Sequence, residues 1–195
     1  MRGMKPEKQY GLRSVNLAGS FQRLDELEGK LCVPCNDMAR IPVVRYYFAA
    51  VSRLGNGIAW YAMLAVLPLV FGLSAVVPTL HMGLTSLVVV ALHRLLKQKL
   101  VRERPYSSHA GVRPVTTPLD RYSFPSGHTM HACAFIVMLG HYFPAVMWIM
   151  LPFAVSVALS RVILGLHYPS DVLAGAVVGW VLARSSLALL AFVGA

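Results

Sequence analysis

Residues 57–77 read GIAWYAMLAVLPLVFGLSAVV, and this run contains no charged side chain. An α-helix rises about 1.5 Å per residue, so a run of this length is sufficient to cross the roughly 30 Å hydrocarbon core of a bilayer. The run therefore predicts a transmembrane helix, and it indicates that the chain is a helical membrane protein.

Four further apolar segments follow on the C-terminal side of this run. Pro78 is expected to form the turn after the first span, and a polar segment over residues 97–127 separates the second span from the third. That segment is too long for a simple connector, which favours a functional loop. The predicted fold is an all-α, polytopic transmembrane helix bundle of about five spans. Spans two to five are predicted at residues 79–96, about 127–142, 145–160 and 170 to about 190.

Residues 1–56 have a different pattern and predict an amphipathic N-terminal region ahead of the transmembrane domain of residues 57–195. The region lacks the apolar core of a signal peptide, so we expect it to stay in the mature protein. Apolar residues recur there at helical spacing in two stripes, which predict two helices lying in the membrane interface. The stripes are Leu17, Phe21, Leu24 and Leu31, and then Val43, Val44, Tyr47, Phe48, Val51 and Leu54.

Composition supports a membrane protein and argues against a nucleic-acid partner. Hydrophobic residues make up 56% of the chain and charged residues 13%, and the mean hydropathy is +0.60. The net charge is +10, but the basic residues lie at span ends and in polar motifs, without the interleaved aromatic residues that stack on bases. Anionic lipid head groups and phosphates are the partners that this distribution favours.

The cysteines do not form a recognisable framework. Cys32 and Cys35 form a C-x-x-C pattern, but the chain has no second such pair and no H-x3-5-H pattern to complete a metal site. We interpret them as two cysteines in a turn around Pro34 at the membrane surface. Cys133 lies within a predicted span.

Three polar patterns stand at the ends of the predicted spans. They are K-x6-R-P in residues 97–105 (KQKLVRERP), P-S-G-H in residues 125–128 and S-R-x5-H-x3-D in residues 160–171 (SRVILGLHYPSD). Lys97 ends span two, Ser126 opens span three, Arg161 ends span four and Asp171 opens span five. An alternating path therefore brings all three patterns to one face of the membrane.

The residue types in these patterns suit the chemistry of phosphate esters. Phosphoryl transfer spreads negative charge over three oxygens, which clustered cations and N–H donors stabilise. Lys97, Arg104 and Arg161 are the candidate cations, and a guanidinium binds phosphate oxygens in a bidentate manner. The other basic residues nearby are interpreted as ordinary membrane-flanking cations: Arg94, Lys99 and Arg102.

The histidines supply candidate proton-transfer and nucleophilic groups. Gly127 lets backbone N–H groups approach an anion at a helix start, Ser126 adds a hydroxyl, and His128 beside them can protonate a leaving oxygen. His167 and Asp171 are four residues apart, so a carboxylate can hold one imidazole nitrogen while the other attacks phosphorus. Asp171 also suits a helix N-terminus for electrostatic reasons alone. Outside the patterns, His109 and His131 are candidates for the mouth of the site, and Gly175 and Gly179 form a G-x3-G that predicts close helix packing.

Together and in this order, the three patterns resemble the signature of the type 2 phosphatidic acid phosphatase (PAP2) superfamily over about residues 57–190. The resemblance implies that His167 is a nucleophile that forms a phosphohistidine, that Asp171 orients it and that His128 is the acid. It implies that phosphate is bound by Lys97, Arg104, Ser126, Gly127 and Arg161. It implies no metal or other cofactor, and only Glu103, Asp120 and Asp171 are acidic beyond residue 56.

The resemblance leads us to expect an integral cell-membrane phosphatase that acts on a lipid phosphomonoester or pyrophosphate. Phosphatidic acid, phosphatidylglycerophosphate, a polyprenyl diphosphate and a lipid A phosphate are candidate substrates. A lipid phosphotransferase with the same site and a non-catalytic lipid-binding or transport protein are alternatives. The vanadium haloperoxidases share the site pattern, but they are soluble, which five apolar spans disfavour. The oligomeric state is not encoded in a readable way.

The distribution of basic residues bears on which face of the membrane carries the patterns. Nine Lys or Arg lie in residues 1–56 and seven in residues 94–121, against none in the two hairpins on the opposite face. The positive-inside rule therefore favours a cytoplasmic site. Several of these charges serve the chemistry, and six-span bacterial members of the family are expected to face outward, so an outward-facing site stays the alternative.

Overall fold

The structure, a computed structural model, describes residues 18–118 and 120–193, and within them it contains helices and no β-strand. The all-α prediction is thus confirmed for this part of the chain. The helices are α1 (Ala18–Asp37), α2 (Pro42–Gly55), α3 (Ile58–Phe71), α4 (Val76–Lys99), α5 (Pro105–Ser108), α6 (Gly127–Tyr142), α7 (Pro144–Ile163) and α8 (Pro169–Val193), with 3-10 turns at Met38–Arg40 and Gly72–Ala75.

The turn between the first two apolar segments lies earlier than the sequence indicated. α3 ends at Phe71, and Gly72 adopts a φ of +70°, a left-handed value that glycine reaches without steric cost. Pro78 instead lies inside the first turn of α4, where a proline's missing N–H has no helical partner to lose. The predicted turn at Pro78 is therefore wrong, and α4 begins at Val76.

α3 and α4 form an antiparallel hairpin, as contacts with α6 demonstrate. Trp60, near the start of α3, stacks on Phe135 in the middle of α6 with ring centroids 5.0 Å apart. Phe71, at the end of α3, lies 5.1 Å from Phe143, which follows the last residue of α6. α3 thus runs toward the end of the bundle where α6 finishes, which we call the far end.

The remaining helices alternate between the far end and the opposite one. At the far end, His81 of α4 hydrogen-bonds Tyr142 of α6 at 2.8 Å and Ser186 of α8 at 2.6 Å. α4 therefore starts at the far end and ends at Lys97–Lys99 at the opposite end of the bundle, which we call the polar end. α6 and α8 start at the polar end, and α7 ends there. This path is the one that the order of the three patterns required.

The core is centred on α6, which contacts α4, α7 and α8. Its residues Met130, Phe135, Met138 and Leu139 are each 2% exposed or less and form part of the main apolar core. Close packing of these side chains fixes the relative height of the four helices. The polar ends of these four helices therefore lie at the same height along the bundle.

α1 and α2 are helices in the region where two were predicted, and they lie over the polar end of the bundle. Their amphipathic character stays a prediction, and Leu17 lies outside the described residues. Leu24 and Leu31 are 38% and 57% exposed, whereas Glu28 is buried. α1 thus turns apolar side chains outward and an acidic face inward. Its location in a membrane interface stays a prediction.

Cys32 and Cys35 do not lie in a turn, because α1 continues through Pro34 to Asp37. A proline inside a helix removes one hydrogen bond, and here packing of α1 on the bundle holds the helix together. Both thiols are free, and burial, with the charge of Glu28 next, raises the pKa of Cys32 to about 12. Within residues 18–118 and 120–193, no three His, Cys, Asp or Glu side chains converge as metal ligands would.

Among the described residues, three segments are long and apolar enough to cross a membrane by length and composition: Ile58–Lys99, which contains both α3 and α4, Pro144–Ile163 and Pro169–Val193. Their outer surfaces are strongly apolar. Leu69 and Leu73 at the hairpin are 83% and 90% exposed, and Leu84 and Leu173 are 63% and 67% exposed. Contiguous exposed apolar surface of this kind is typical of a protein that contacts lipid.

Candidate active site

A cavity of about 180 Å³ opens at the polar end of the bundle, where α4 and α7 end and α6 begins. Its polar wall includes residues of all three sequence patterns together with others such as His93 and Asp120. Its apolar wall includes Trp60, Tyr61, Val90 and Phe135. Six of the eight predicted site residues line it: Lys97, Arg104, Gly127, His128, Arg161 and His167.

The other two predicted residues, Ser126 and Asp171, are fully buried behind the wall. The Ser126 hydroxyl lies 3.0 Å from the Thr129 hydroxyl, so the structure does not bring it to the cavity. The backbone N–H of Ser126 donates to the carbonyl of Asp171 at 3.0 Å. This bond ties the start of α6 to the start of α8, and it sets the height of Gly127 relative to His167.

His167 lies between Asp171 and Arg104 in the loop that joins α7 to α8. Its Nδ1 is 3.5 Å from Oδ2 of Asp171, and its Nε2 is 3.5 Å from Nη1 of Arg104. Both distances are at the outer limit of a hydrogen bond. A guanidinium only donates, so its approach to Nε2 favours the tautomer in which the proton is on Nδ1 and faces the carboxylate. Nε2 then carries the lone pair on the cavity side.

Burial, followed by the charges of Arg161 and Arg104, lowers the pKa of His167 well below its ordinary value of 6.5. Desolvation disfavours the charged form of the imidazole, and nearby cations act in the same direction. The ring is therefore neutral over the neutral and mildly acidic pH range. A neutral imidazole is the nucleophilic form.

Asp120 is a charged residue of the site that sequence reasoning did not select. Its carboxylate pairs with Lys97, and its Oδ1 also accepts from Nη2 of Arg104 at 2.6 Å. Burial opposes ionisation of Asp120, but the hydrogen bond and charge of Lys97 and the charge of Arg104 outweigh it, so the pKa of Asp120 is lowered. An anion thus lies between two of the three cations. Spacing did not single Asp120 out, because the loop that carries it has no regular period.

Arg161, the third cation, projects into the cavity from the last turn of α7. Its Nη1 donates to the Ser52 hydroxyl on α2 at 2.7 Å, and its Nε has no partner among the described residues. Burial of a guanidinium with an unused donor leaves that donor available to an anion in the cavity. α2 therefore contributes to the site by holding Arg161.

Four histidines meet at the cavity, more than the motifs contain. His93 and His131 join His128 and His167 on the wall, whereas His109 contacts Asp25 and Tyr168 away from it. Nε2 of His93 and Nε2 of His128 have no hydrogen-bond partner among the described residues. His93 also lies so close to Gly127 that a Cβ there would be 2.6 Å from its ring. That contact is a reason for glycine in the P-S-G-H pattern beyond its backbone freedom.

Arg102, interpreted from the sequence as a membrane-flanking cation, is instead 2% exposed and lies directly behind the site. Its Nη1 donates to Oδ1 of Asp171 at 2.6 Å, and its other nitrogens bond Asp25 and Glu28 of α1. That interpretation is wrong because three carboxylates draw the side chain inward. Arg94 and Lys99 are exposed, as predicted. The one sequence signal for Arg102 was an acidic pair, Asp25 and Glu28, one helical turn apart.

Comparison with known proteins gives one family. The family model described as PAP2 superfamily matches residues 78–193, more than half of the chain. A lipid A 1-phosphatase of Rhizobium etli is 37% identical over 94 residues, which is 46% of this chain and 40% of that protein. An undecaprenyl-diphosphatase of Sulfolobus acidocaldarius is 31% identical over 136 residues, which is 67% of this chain and 63% of that protein.

A solved structure resembles most of the chain. The crystal structure of the first transmembrane PAP2 type phosphatidylglycerolphosphate phosphatase from Bacillus subtilis superposes with a TM-score of 0.66 at 26% identity. The match covers 89% of this chain and 90% of that one. The chain thus has nearly the extent of that structure, although it spans less than two thirds of the length of the two curated relatives.

Proposed function

The chain belongs to the PAP2 superfamily, and on this premise we propose that it is an integral membrane phosphatase that hydrolyses a lipid phosphomonoester or lipid diphosphate. One observation carries the proposal. Three cations and two histidines from the three patterns line a single cavity at the polar end of an apolar bundle. The relatives include enzymes whose names specify a lipid A phosphate, a polyprenyl diphosphate and phosphatidylglycerolphosphate, all of them phosphates on lipids.

The proposed membrane arrangement has five crossings, by α3, α4, α6, α7 and α8. Alternation of these helices between the far end and the cavity end supports it. α6 has 16 residues and rises about 24 Å, less than the hydrocarbon core, and it is shielded by its neighbours. α1 and α2 would lie in the interface over the cavity end. Their exposed leucines and valines would then contact acyl chains, and their arginines would contact head groups.

The phosphate is proposed to bind among Lys97, Arg104 and Arg161, against the backbone of Gly127 at the start of α6. Two guanidinium groups and an ammonium neutralise a dianion and stabilise the charge that develops on its oxygens. The free N–H groups at a helix start point at such an anion. Ser126, buried beside them, sets where α6 begins.

The reaction is proposed to proceed in two displacements. Nε2 of His167 attacks phosphorus, the N–P bond forms as the bond to the leaving oxygen breaks, and His128 donates a proton to that oxygen. Asp171 stabilises the proton on Nδ1 while the ring becomes positively charged. Water then attacks the phosphohistidine, His128 takes its proton, and inorganic phosphate leaves as the N–P bond breaks. This scheme assigns all charge stabilisation to side chains and backbone, and it requires no metal.

The lipid part of the substrate is proposed to lie along the apolar wall of the cavity. The same cavity is lined by the aromatic rings of Trp60, Tyr61 and Phe135. Carbons near the phosphate would therefore pack on these rings. This arrangement suits a substrate whose charged group enters from the interface while its chains stay in the membrane.

The first test measures phosphate release from phosphatidic acid, phosphatidylglycerophosphate and a polyprenyl diphosphate by the purified protein in detergent, with and without EDTA. We expect release from at least one lipid, unaffected by EDTA, and reduced to background in His167→Ala because no nucleophile remains. His141→Ala is the matched control, since His141 is exposed on α6 away from the cavity.

Four outcomes would contradict the proposal in different ways. Activity that survives in His167→Ala would exclude the phosphohistidine, and activity abolished by EDTA would exclude the metal-independent scheme. Transfer of phosphate to a lipid acceptor in place of water would identify a phosphotransferase. A wild-type protein that binds these lipids without turnover would be a lipid-binding protein.

A further inference from the structure

Arg102 connects the N-terminal helix to the proposed nucleophile. Its Nη1 donates to Oδ1 of Asp171 at 2.6 Å and to the Ser170 hydroxyl at 2.7 Å. Its Nε and Nη2 donate to Asp25 at 2.9 and 2.6 Å, and Nη2 also donates to Glu28 at 2.7 Å. All three guanidinium nitrogens are therefore engaged by side chains of α1 and of the start of α8.

The guanidinium is held on its face as well as at its edges. It lies over the ring of Tyr168 at 4.2 Å from the centroid, and Tyr168 is fully buried. A planar cation fixed by ionic hydrogen bonds and an aromatic ring has little freedom to turn. Arg102 is not part of the cavity wall, so it does not reach a substrate phosphate from this position.

Asp171 depends on this cation. The carboxylate is 0% exposed, its Oδ1 accepts from Arg102, and its Oδ2 accepts from the backbone N–H of Tyr168 at 2.8 Å while it faces His167. A buried carboxylate without a countercharge is costly, and it protonates or turns away. Arg102 thus favours the ionised form of Asp171 and holds its carboxylate facing Nδ1 of His167, 3.5 Å away.

Glu28 attaches α1 to the same point by a second route. Its Oε1 accepts from the backbone N–H of Ser170 at 2.7 Å, and its Oε2 accepts from the Ser170 hydroxyl at 2.6 Å. Glu28 therefore caps the first turn of α8 and binds Arg102 at the same time. α1 precedes residues 78–193, the part of the chain that the family model matches.

We propose that Arg102 is a positioning residue that acts on His167 through Asp171, and that α1 is a working part of the site because Glu28 and Asp25 hold Arg102 in place. The proposal rests on the proposed function. The residues that bind phosphate are separate from this chain of contacts. Loss of these contacts should therefore impair attack by His167 and leave phosphate binding intact.

The experiment compares Arg102→Lys, Arg102→Gln and Glu28→Gln with wild type. Arg94→Gln and Glu26→Gln are the matched controls, because both residues are exposed. Turnover is measured per competent site, with the number of sites determined by titration with orthovanadate, a phosphate mimic. A merely structural role would lower the number of competent sites without changing turnover at each of them.

We expect kcat per site to fall about 10- to 100-fold in Arg102→Gln, the range typical of groups that orient a reacting residue, and less in Arg102→Lys. KM and the inhibition constant of vanadate should stay within about twofold, since Lys97, Arg104 and Arg161 are retained. Glu28→Gln should lower kcat in the same sense. In the double variant Arg102→Gln/Glu28→Gln, kcat per site should fall by less than the product of the two single effects, because both residues act through Asp171.

Glu28→Gln conserves shape, so it decides the question even if Arg102→Gln does not fold. Wild-type kcat per site in Glu28→Gln and Arg102→Lys would overturn the inference, and so would a change confined to KM. A wild-type protein without phosphatase activity would instead refute the proposed function. The two failures are therefore distinguishable.

Discussion

Asp120 places a carboxylate where two cations of the site converge. Its Oδ1 meets Lys97 and Arg104, the pair proposed to bind phosphate, and its side chain is 36% exposed. A phosphate bound as proposed would therefore compete with an internal anion for the same N–H donors. Partial exposure gives the carboxylate room to turn outward when phosphate binds.

Replacing Asp120 with Asn should make anion binding tighter. The amide keeps the size of the side chain but removes the competing charge, and we expect the inhibition constant of orthovanadate to fall roughly tenfold, about 1.4 kcal/mol. The measurement is inhibition of phosphate release over a vanadate series. Asp37→Asn, at an ion pair with Arg40 on the surface, is the control. Weaker inhibition in Asp120→Asn would indicate that the carboxylate organises the cations.

The lowered pKa of His167 predicts how phosphatase activity depends on pH. The imidazole must be neutral to attack, so activity should fall only when the pH drops through this lowered pKa, below the ordinary value of 6.5. Burial is the largest cause, and the charge of Arg161 comes next, so Arg161→Gln should move the acid limb of kcat/KM to higher pH. Arg184→Gln, on the exposed side of α8, should leave it unchanged. An acid limb that stays in place would exclude His167 as its origin.

At the scale of elements, contact between α6 and α8 sets the geometry of the site. A Cβ at Gly175 would lie 2.5 Å from the carbonyl oxygen of Ser126, and one at Gly179 would lie 2.3 Å from that of Met130. These clashes are with backbone, which cannot swing aside. The predicted packing role of the G-x3-G is confirmed, and Gly175 touches the residue that opens α6 beside the cavity.

Gly175→Ala and Gly179→Ala should therefore push α6 away from α8. We expect each to destabilise the protein by about 1–3 kcal/mol, seen as a lower thermal midpoint in detergent. Gly175→Ala should also lower kcat, because it shifts Gly127 relative to His167. Gly83→Ala is the control, since a Cβ there meets nothing within 4 Å. Equal midpoints for Gly175→Ala and Gly83→Ala would contradict the close contact.

At the scale of the whole molecule, the alternating helices place the cavity and the far end at opposite ends of the bundle, which the proposed five-crossing arrangement puts on opposite sides of the membrane. Thr117 lies in the loop at the cavity end, and Ser74 lies in the turn between α3 and α4 at the far end. Both are exposed. Basic residues are concentrated at the cavity end, which favours the cytoplasmic side for the site.

Cysteine labelling in intact cells tests this arrangement. In a background without the three native cysteines, Ser74→Cys should react with a membrane-impermeant maleimide, and Thr117→Cys should react only after the membrane is opened. The reverse pattern would keep the five-crossing bundle and turn the site outward. Labelling of both positions from one side would contradict the bundle itself.

The sequence by itself determined the helical class, the approximate positions of the apolar helices and the meeting of the three patterns at one end. These properties are local or follow from counting crossings, because an apolar run long enough for a bilayer leaves few alternatives to a helix. It also indicated six residues that line the cavity. The error at Pro78 arose because proline suits both a turn and a first helical turn, and only the backbone of Gly72 distinguishes them.

Only the tertiary structure decided what lies around those residues. Asp25 bonds Arg102 across 77 positions, Arg161 bonds Ser52 across 109, and Asp120 reaches Lys97 from an irregular loop. Spacing in a sequence reveals neighbours on one helix, whereas these partners meet because separate helices pack at a particular height and angle. A buried charge needs a countercharge, but its identity depends on which side chain that packing brings within reach.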